Sequence, residues 1–231
     1  MEHLPNGYTL TLPQGAFPLS TDSMVLSHFV RLPRHARVLD LGSGCGTLGL
    51  LLCARDPNCT VTGLEIAETA HQGALDNIRI NGLQVRMDSI CTDLRLLSPE
   101  LAGKFDCCIS NPPYFSGGPA AARTPLARRE DCCSPAELFA SAAKALKFGG
   151  DFYLVHKPER LAELISRGSE VNLEAKRLLL VRHKAGGPIT LICLQFRKGG
   201  KPGLILEEAS LFDTNNEPTA FYKSVYHIME D

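Results

Sequence analysis

Arg37-Val38-Leu39-Asp40-Leu41-Gly42-Ser43-Gly44-Cys45-Gly46-Thr47-Leu48-Gly49-Leu50-Leu51-Leu52-Cys53-Ala54 decides how this chain folds. Residues 37–41 are apolar apart from a leading arginine and one carboxylate, and read as a core strand. Gly42, Gly44 and Gly46 then supply a tight turn. Residues 48–54 are apolar nearly all round, which predicts a buried helix. A strand, a glycine turn and a buried helix in succession open a parallel α/β sheet.

Downstream the alternation repeats. Residues 60–65 read as a second strand ending in Glu65, 67–81 as a helix stopped by Asn81-Gly82, and 85–90 as a weaker strand followed by Asp93. Residues 105–109 form a fourth strand leading into Asn111-Pro112-Pro113-Tyr114. Residues 115–135 show no periodicity, a length that suggests function. Ser134-Pro135-Ala136-Glu137 opens a helix as N-cap, first residue and acidic first turn, and Gly149-Gly150 is expected to stop it. A fifth strand follows at 152–155 and an amphipathic helix at 158–167. Strands at 178–181 and 189–194 are joined by a link too short for a crossover, so they pair antiparallel. Residues 204–206 could add an edge strand, and Pro218 starts a last helix carrying Phe221, Tyr222 and Tyr226. Upstream, 8–12 suggests a hairpin turning at Gln14-Gly15, and Ser20-Thr21-Asp22 caps a helix. The expectation is a mostly parallel seven-stranded α/β sheet with a C-terminal antiparallel hairpin and helices on both faces. It forms one domain over 1–231: hairpin and capping helix at 1–36, core at 37–197, extension at 198–231.

The chain has 231 residues, 44% hydrophobic and 21% charged, with a formal charge of −1. No broad positive field advertises nucleic acid, so any basic surface must be local. Nine cysteines fit neither a disulfide framework nor a zinc site, and the seven histidines are scattered, so no metal is expected. Cys107 and Cys108 read as packing residues. No leader and no apolar run of membrane length is visible, which suggests a cytoplasmic protein. Monomer and weak dimer both remain open.

Gly44-Cys45-Gly46-Thr47-Leu48-Gly49 matches G-x-G-x-x-G, so a nicotinamide dinucleotide must be weighed. The phase argues against it, because the turn proper is Gly42-x-Gly44-x-Gly46, two residues earlier. Asp40 at the strand exit would repel a pyrophosphate, which favours helix amides and no neighbouring anion. It suits a ligand with an ammonium and a sulfonium, as in S-adenosylmethionine. Glu65, nineteen residues after Gly46, can accept from both ribose hydroxyls, a role common to both cofactors. Asp93 is placed to accept from an adenine amino group. Asp22 is a plain helix cap or a cofactor contact. Asp40, Glu65, Asp93 and Asn111 close four successive strands and should face one cleft, where open α/β sheets bind ligands.

The stretch after the fourth strand offers the chemistry. Its prolines stiffen the turn and leave carbonyls without neighbouring N–H groups. The Asn111 side-chain oxygen and the Pro112 carbonyl can both accept from an amino group, holding its lone pair away from its own π system. Tyr114 gives a face on which a flat base can stack. This stretch resembles the Asn-Pro-Pro-Tyr signature of methyltransferases that modify exocyclic or amide nitrogens. With the acidic glycine turn, it resembles the class I, Rossmann-like N-methyltransferases.

The order of elements goes further. Hairpin, Thr21-Asp22 helix, glycine loop, Asn111-Pro112-Pro113-Tyr114, Ala127-Arg128 and a Thr219-Ala220-Phe221-Tyr222 helix are together similar to the bacterial tRNA1(Val) (adenine-N6)-methyltransferase family. That resemblance implies methylation of adenine 37, beside the anticodon of a valine tRNA, with Asn111, Pro112 and Tyr114 catalytic. Ser23 departs from it, since a glycine is expected there. Other target nitrogens remain: an rRNA or DNA base amine, a protein glutamine amide, or cofactor binding without transfer. Glutamine methyltransferases usually carry a helical domain ahead of the fold, and too few residues precede the first strand here. DNA enzymes generally need a recognition domain that is not visible. RNA contact is expected from Arg123, Arg128 and Arg129, which fall within seven residues after Tyr114.

Overall fold

A computed structural model describes residues 1–4, 7–13, 18–112 and 133–227. In chain order the elements are β1 (Glu2–His3), β2 (Thr9–Leu10), α1 (Thr21–Phe29), β3 (Arg37–Leu41), α2 (Thr47–Arg55), β4 (Thr60–Glu65), α3 (Glu68–Ile80) and β5 (Met87–Cys91). Then come β6 (Phe105–Ser110), α4 (Pro135–Ala145), β7 (Leu146–His156), α5 (Leu161–Glu170), β8 (Leu173–Lys184), β9 (Ile189–Lys198), β10 (Ile205–Phe212) and α6 (Ala220–Val225).

The main sheet has eight strands in the order β10-β8-β9-β7-β6-β3-β4-β5. β9 pairs antiparallel with both β7 and β8, while the other pairings are parallel. This is the expected mixed α/β sheet, one strand wider than expected. The 204–206 edge is the start of an eight-residue strand, parallel to β8.

Side chains alternate across the sheet, as the pleat requires. Val38, Cys107 and Ile109 join one buried cluster with α1 and α2. Leu39, Leu41 and Cys108 join the other with α4 and α5. The adjacent cysteines are therefore packing residues, one on each face, as expected.

Three local expectations are corrected. β2 pairs with β1, which precedes it, rather than with a strand beyond Gln14-Gly15, and those two residues lie outside the described ones. Asn77 on α3 and Asn81 at its C-cap, one helical turn apart, stitch the arm down. Asn81 Oδ1 accepts from Thr9 N–H at 2.8 Å and Asn77 Oδ1 from Thr11 N–H at 2.8 Å. Gly149-Gly150 does not stop α4; the helix ends at Ala145 and β7 begins at once. No glycine cap is needed because the last carbonyls find donors elsewhere. Gly103 N–H reaches Lys144 O at 2.9 Å, and the Lys198 ammonium reaches Ala143 O at 2.6 Å and Leu146 O at 2.8 Å. The glycines instead absorb a register shift between β6 and β7. Finally, β8 spans twelve residues where four were expected. Its polar start is buried in part: Arg177 stacks 4.2 Å over the Phe29 ring and pairs with Glu207 at 2.8 Å.

Candidate active site

β3, β4 and β6 lie side by side and parallel, so their C-terminal residues converge on one edge. At that edge Gly42, Gly44 and Gly46 all have positive φ (74°, 55° and 82°), which L side chains rarely adopt. Gly42 and Ser43 donate to Leu64 O at 2.9 and 3.0 Å, which pins the turn against the end of β4. At Gly46 an added Cβ would also lie 2.7 Å from the Met87 side chain.

Two carboxylates flank this turn in different states. Glu65 is engaged: one oxygen accepts from Gly44 N–H at 2.9 Å, the other from Ala67 N–H at 2.7 Å. A carboxylate has about four acceptor positions, so each oxygen can still take a hydroxyl. Asp40 is 1% exposed, and among the described residues neither of its oxygens has a hydrogen-bond partner. Burial, and then the nearby Glu65 charge, push its carboxyl up to about 8. A buried acceptor pair with nothing to accept from is a costly arrangement. It is relieved by a cationic donor, and an ammonium at this turn fits it.

Asn111 and Pro112 follow β6 directly. Ser110 Oγ donates to Leu41 O at 2.8 Å, tying the end of β6 to that of β3. The Asn111 side-chain nitrogen donates to Ser23 Oγ at 3.0 Å. That bond brings the first turn of α1, with Asp22, to the same edge. Burial raises the Asp22 carboxyl, and Lys157 partly opposes this.

Asp93, two residues beyond β5, caps the 3-10 turn Leu94–Leu96 by accepting from Arg95 N–H at 2.9 Å. The Arg95 guanidinium also grips its carboxylate, and that hydrogen bonding holds the Asp93 carboxyl below its ordinary value. Of the expected residues, Asp40, Gly42, Gly44, Gly46, Glu65 and Asn111 therefore gather at one edge. Asp93 sits beside it, paired with arginine. Pro113, Tyr114, Arg123, Arg128 and Arg129 lie outside the described residues.

Two contributors escape a reading of the sequence alone. Asn77 is fully buried and, besides holding Thr11, donates to Cys45 O at 3.0 Å, bracing the glycine turn from α3. Ser23 holds Asn111. Asn77 carries no local signal and Ser23 only a departure from the family pattern, since each acts across a long stretch of chain.

Among the described residues no group of three or more His, Cys, Asp and Glu could hold a metal, and no helix is long and apolar enough to cross a membrane. A cleft at the opposite end of the sheet holds Arg177, Lys147 and Arg197, but each is paired with a carboxylate there.

A parallel sheet with a glycine turn between two acidic strand ends, and an Asn-Pro step on the next strand, defines a class I methyltransferase using S-adenosylmethionine. The family model of the methyltransferase small domain matches residues 20–168. A tRNA1(Val) (adenine(37)-N6)-methyltransferase of Bacteroides fragilis is 33% identical over 83% of this chain and 82% of its own. One of the same name from Bacteroides thetaiotaomicron is 31% identical over 87% of this chain and 85% of its own. The crystal structure of a protein described as a predicted O-methyltransferase, from Agrobacterium tumefaciens, superposes with a TM-score of 0.72 at 20% identity, over 90% of this chain and 96% of that one. The chain belongs to the tRNA1(Val) (adenine(37)-N6)-methyltransferase family, within the methyltransferase small domain.

Proposed function

We propose that this protein transfers a methyl group from S-adenosylmethionine to N6 of adenine 37 in a valine tRNA, as one domain working in the cytoplasm. The observation that carries the reading is the pairing of two features on one sheet edge. One is Asp40, buried with both oxygens unsatisfied beside the glycine turn. The other is Asn111, whose amide nitrogen is already engaged by Ser23. The first suits a cationic cofactor, the second an amino-group substrate, and the relatives' names supply the tRNA.

Asp40 would hold the ammonium and Glu65 the ribose hydroxyls. Asp93 and Asp22 border the cleft and are proposed as further contacts. When bound, S-adenosylmethionine would supply a methyl group on a cationic sulfur that keeps the C–S electron pair once the methyl has passed to nitrogen. Asn111 Oδ1 and the Pro112 carbonyl accept from the adenine amino group, so its lone pair points out of the ring's π system. The extra proton on nitrogen leaves to water, and no side chain need be a strong base. Positioning and aligned acceptors do most of the work. Tyr114 would stack the flipped base and Arg123, Arg128 and Arg129 would meet phosphates.

The test is methylation of unmodified valine tRNA by the purified chain, with nucleosides read by mass spectrometry. N6-methyladenosine at position 37, lost when that adenine is replaced by a purine without the amino group, is expected. Failure to modify any tRNA under saturating cofactor would refute the reading.

A further inference from the structure

We infer that Ser23 is a positioning residue for methyl transfer: it selects the flip of the Asn111 side-chain amide that presents oxygen, rather than nitrogen, to the substrate. The inference rests on the function proposed above. An asparagine amide has an acceptor on one side and two donors on the other, with nearly identical shape. Rotating it by half a turn changes the chemistry of the site at almost no steric cost. An amino group facing the nitrogen side would meet donors with its own hydrogens, and its lone pair would be left in conjugation with the ring. Something must therefore choose.

Elsewhere Asn111 is well constrained. Ser110 is bonded across to Leu41, and Pro112 follows with its φ fixed by the ring. The amide flip is the freedom that remains, and Ser23 removes it by accepting from Nδ2 at 3.0 Å. Ser23 Oγ also takes a second hydrogen bond from its own helix cap. Ser20 Oγ, which caps α1 by accepting from Ser23 N–H at 3.2 Å, donates its proton to Ser23 Oγ at 3.3 Å. Ser23 is buried, 7% exposed as a residue, so water has little access to it. Helix α1 cannot easily drift away. Met24, Val25 and Leu26 are buried. Arg55 donates to Ser27 O and Val30 O, and Thr21 Oγ1 meets Tyr226 Oη at 3.1 Å. A glycine at position 23, which the family resemblance leads one to expect, would offer no such acceptor. This chain thus orients its catalytic amide with a side chain of its own.

The experiment uses the full chain, S-adenosylmethionine and unmodified valine tRNA. Ser23→Ala should lower kcat about tenfold, the scale of one hydrogen bond that acts on the transition state. KM for tRNA, cofactor affinity and melting temperature should stay near wild type. Ser23→Thr, which keeps the hydroxyl, should recover most of the rate. Independently of turnover, the Asn111 side-chain NH2 resonances, assigned by their loss in Asn111→Asp, should shift and broaden in Ser23→Ala. A wild-type kcat in Ser23→Ala, unchanged resonances, or a Ser23→Thr variant as slow as Ser23→Ala would overturn the inference. So would a rate loss matched by losses in cofactor affinity and melting temperature, the mark of a merely structural role. If the wild-type chain methylates no tRNA adenine, the functional reading fails and the inference falls with it; if wild type is active and the variants behave alike, the inference alone fails.

Discussion

Cofactor binding should be steeply dependent on pH, because Asp40 must lose a proton to receive a cation. Its carboxyl is buried and rises from 3.8 to about 8 in the free protein. At pH 7 it is about one-tenth ionised, and at pH 6 about one-hundredth. If only the ionised form holds the ammonium, the dissociation constant falls about tenfold per pH unit between 5.5 and 7.5. Close to one proton is released per cofactor bound at pH 7. The ligand's own amino group titrates near 7.7–8.0, so the window must end below that. Isothermal calorimetry in two buffers of different ionisation enthalpy measures both quantities. The same group also sets the stability of the free protein. Its folded value lies above its unfolded one, so the folded state keeps a proton that the unfolded state sheds. Stability is unaffected by it below about 4, falls as pH rises toward 8, and is lower by a constant amount above that. The full gross penalty is on the order of 5 kcal/mol. Asp40→Asn should therefore stabilise the free protein at pH 8 yet bind cofactor tenfold or more weakly at pH 7.5, with no pH slope. A wild-type dissociation constant that varies less than about twofold from pH 5.5 to 7.5, or an Asp40→Asn variant with undiminished affinity, would refute the assignment of Asp40.

Three other expectations can be checked directly. Asn111→Ala should abolish turnover while leaving cofactor affinity within about threefold, since the lost acceptor matters most in the transition state; more than a tenth of wild-type kcat would contradict that role. Asn77→Ala removes the partners of Thr11 N–H, Thr11 O and Cys45 O. It should cost about 2–4 kcal/mol in urea unfolding, and a loss within error would mean that the arm is held by other contacts. Arg128→Glu combined with Arg129→Glu should weaken tRNA binding and reduce its salt slope by roughly two units, about one per phosphate contact. An unchanged slope in titrations at several salt concentrations would move the RNA surface elsewhere.

The edge that carries the candidate site was legible because strand ends are. Once 37–41, 60–65 and 105–109 read as parallel strands, Asp40, Glu65 and Asn111 had to share an edge, and the structure brings them there. Asp93 was legible in position but not in pairing, because the arginine that grips it lies in an aperiodic stretch. What stayed hidden depends on partners remote in sequence. Lys198 caps α4 from more than fifty residues away, so Gly149-Gly150 looked like the only stop. The strand read at 178–181 begins earlier because Phe29 and Glu207 take up the charge of Arg177 just ahead of it. Ser23 stood out only as a mismatch to a family pattern, and its purpose emerges once α1 lies against the end of β6.

The place of β9 between β7 and β8 has a consequence for a chain made on a ribosome. The sheet can grow outward strand by strand as far as β7 while synthesis proceeds. β8 then emerges with no neighbour to join, because its seat beside β7 is reserved for a strand not yet made. Its apolar residues Leu178, Leu179 and Val181 wait uncovered until Ile189–Lys198 arrives and bridges the gap. An unpaired apolar strand in a growing chain is open to wrong partners. A released chain truncated between Lys184 and Ile189 should thus be a preferred client for chaperones. One truncated after Lys198 should already resist proteolysis, although it lacks β10.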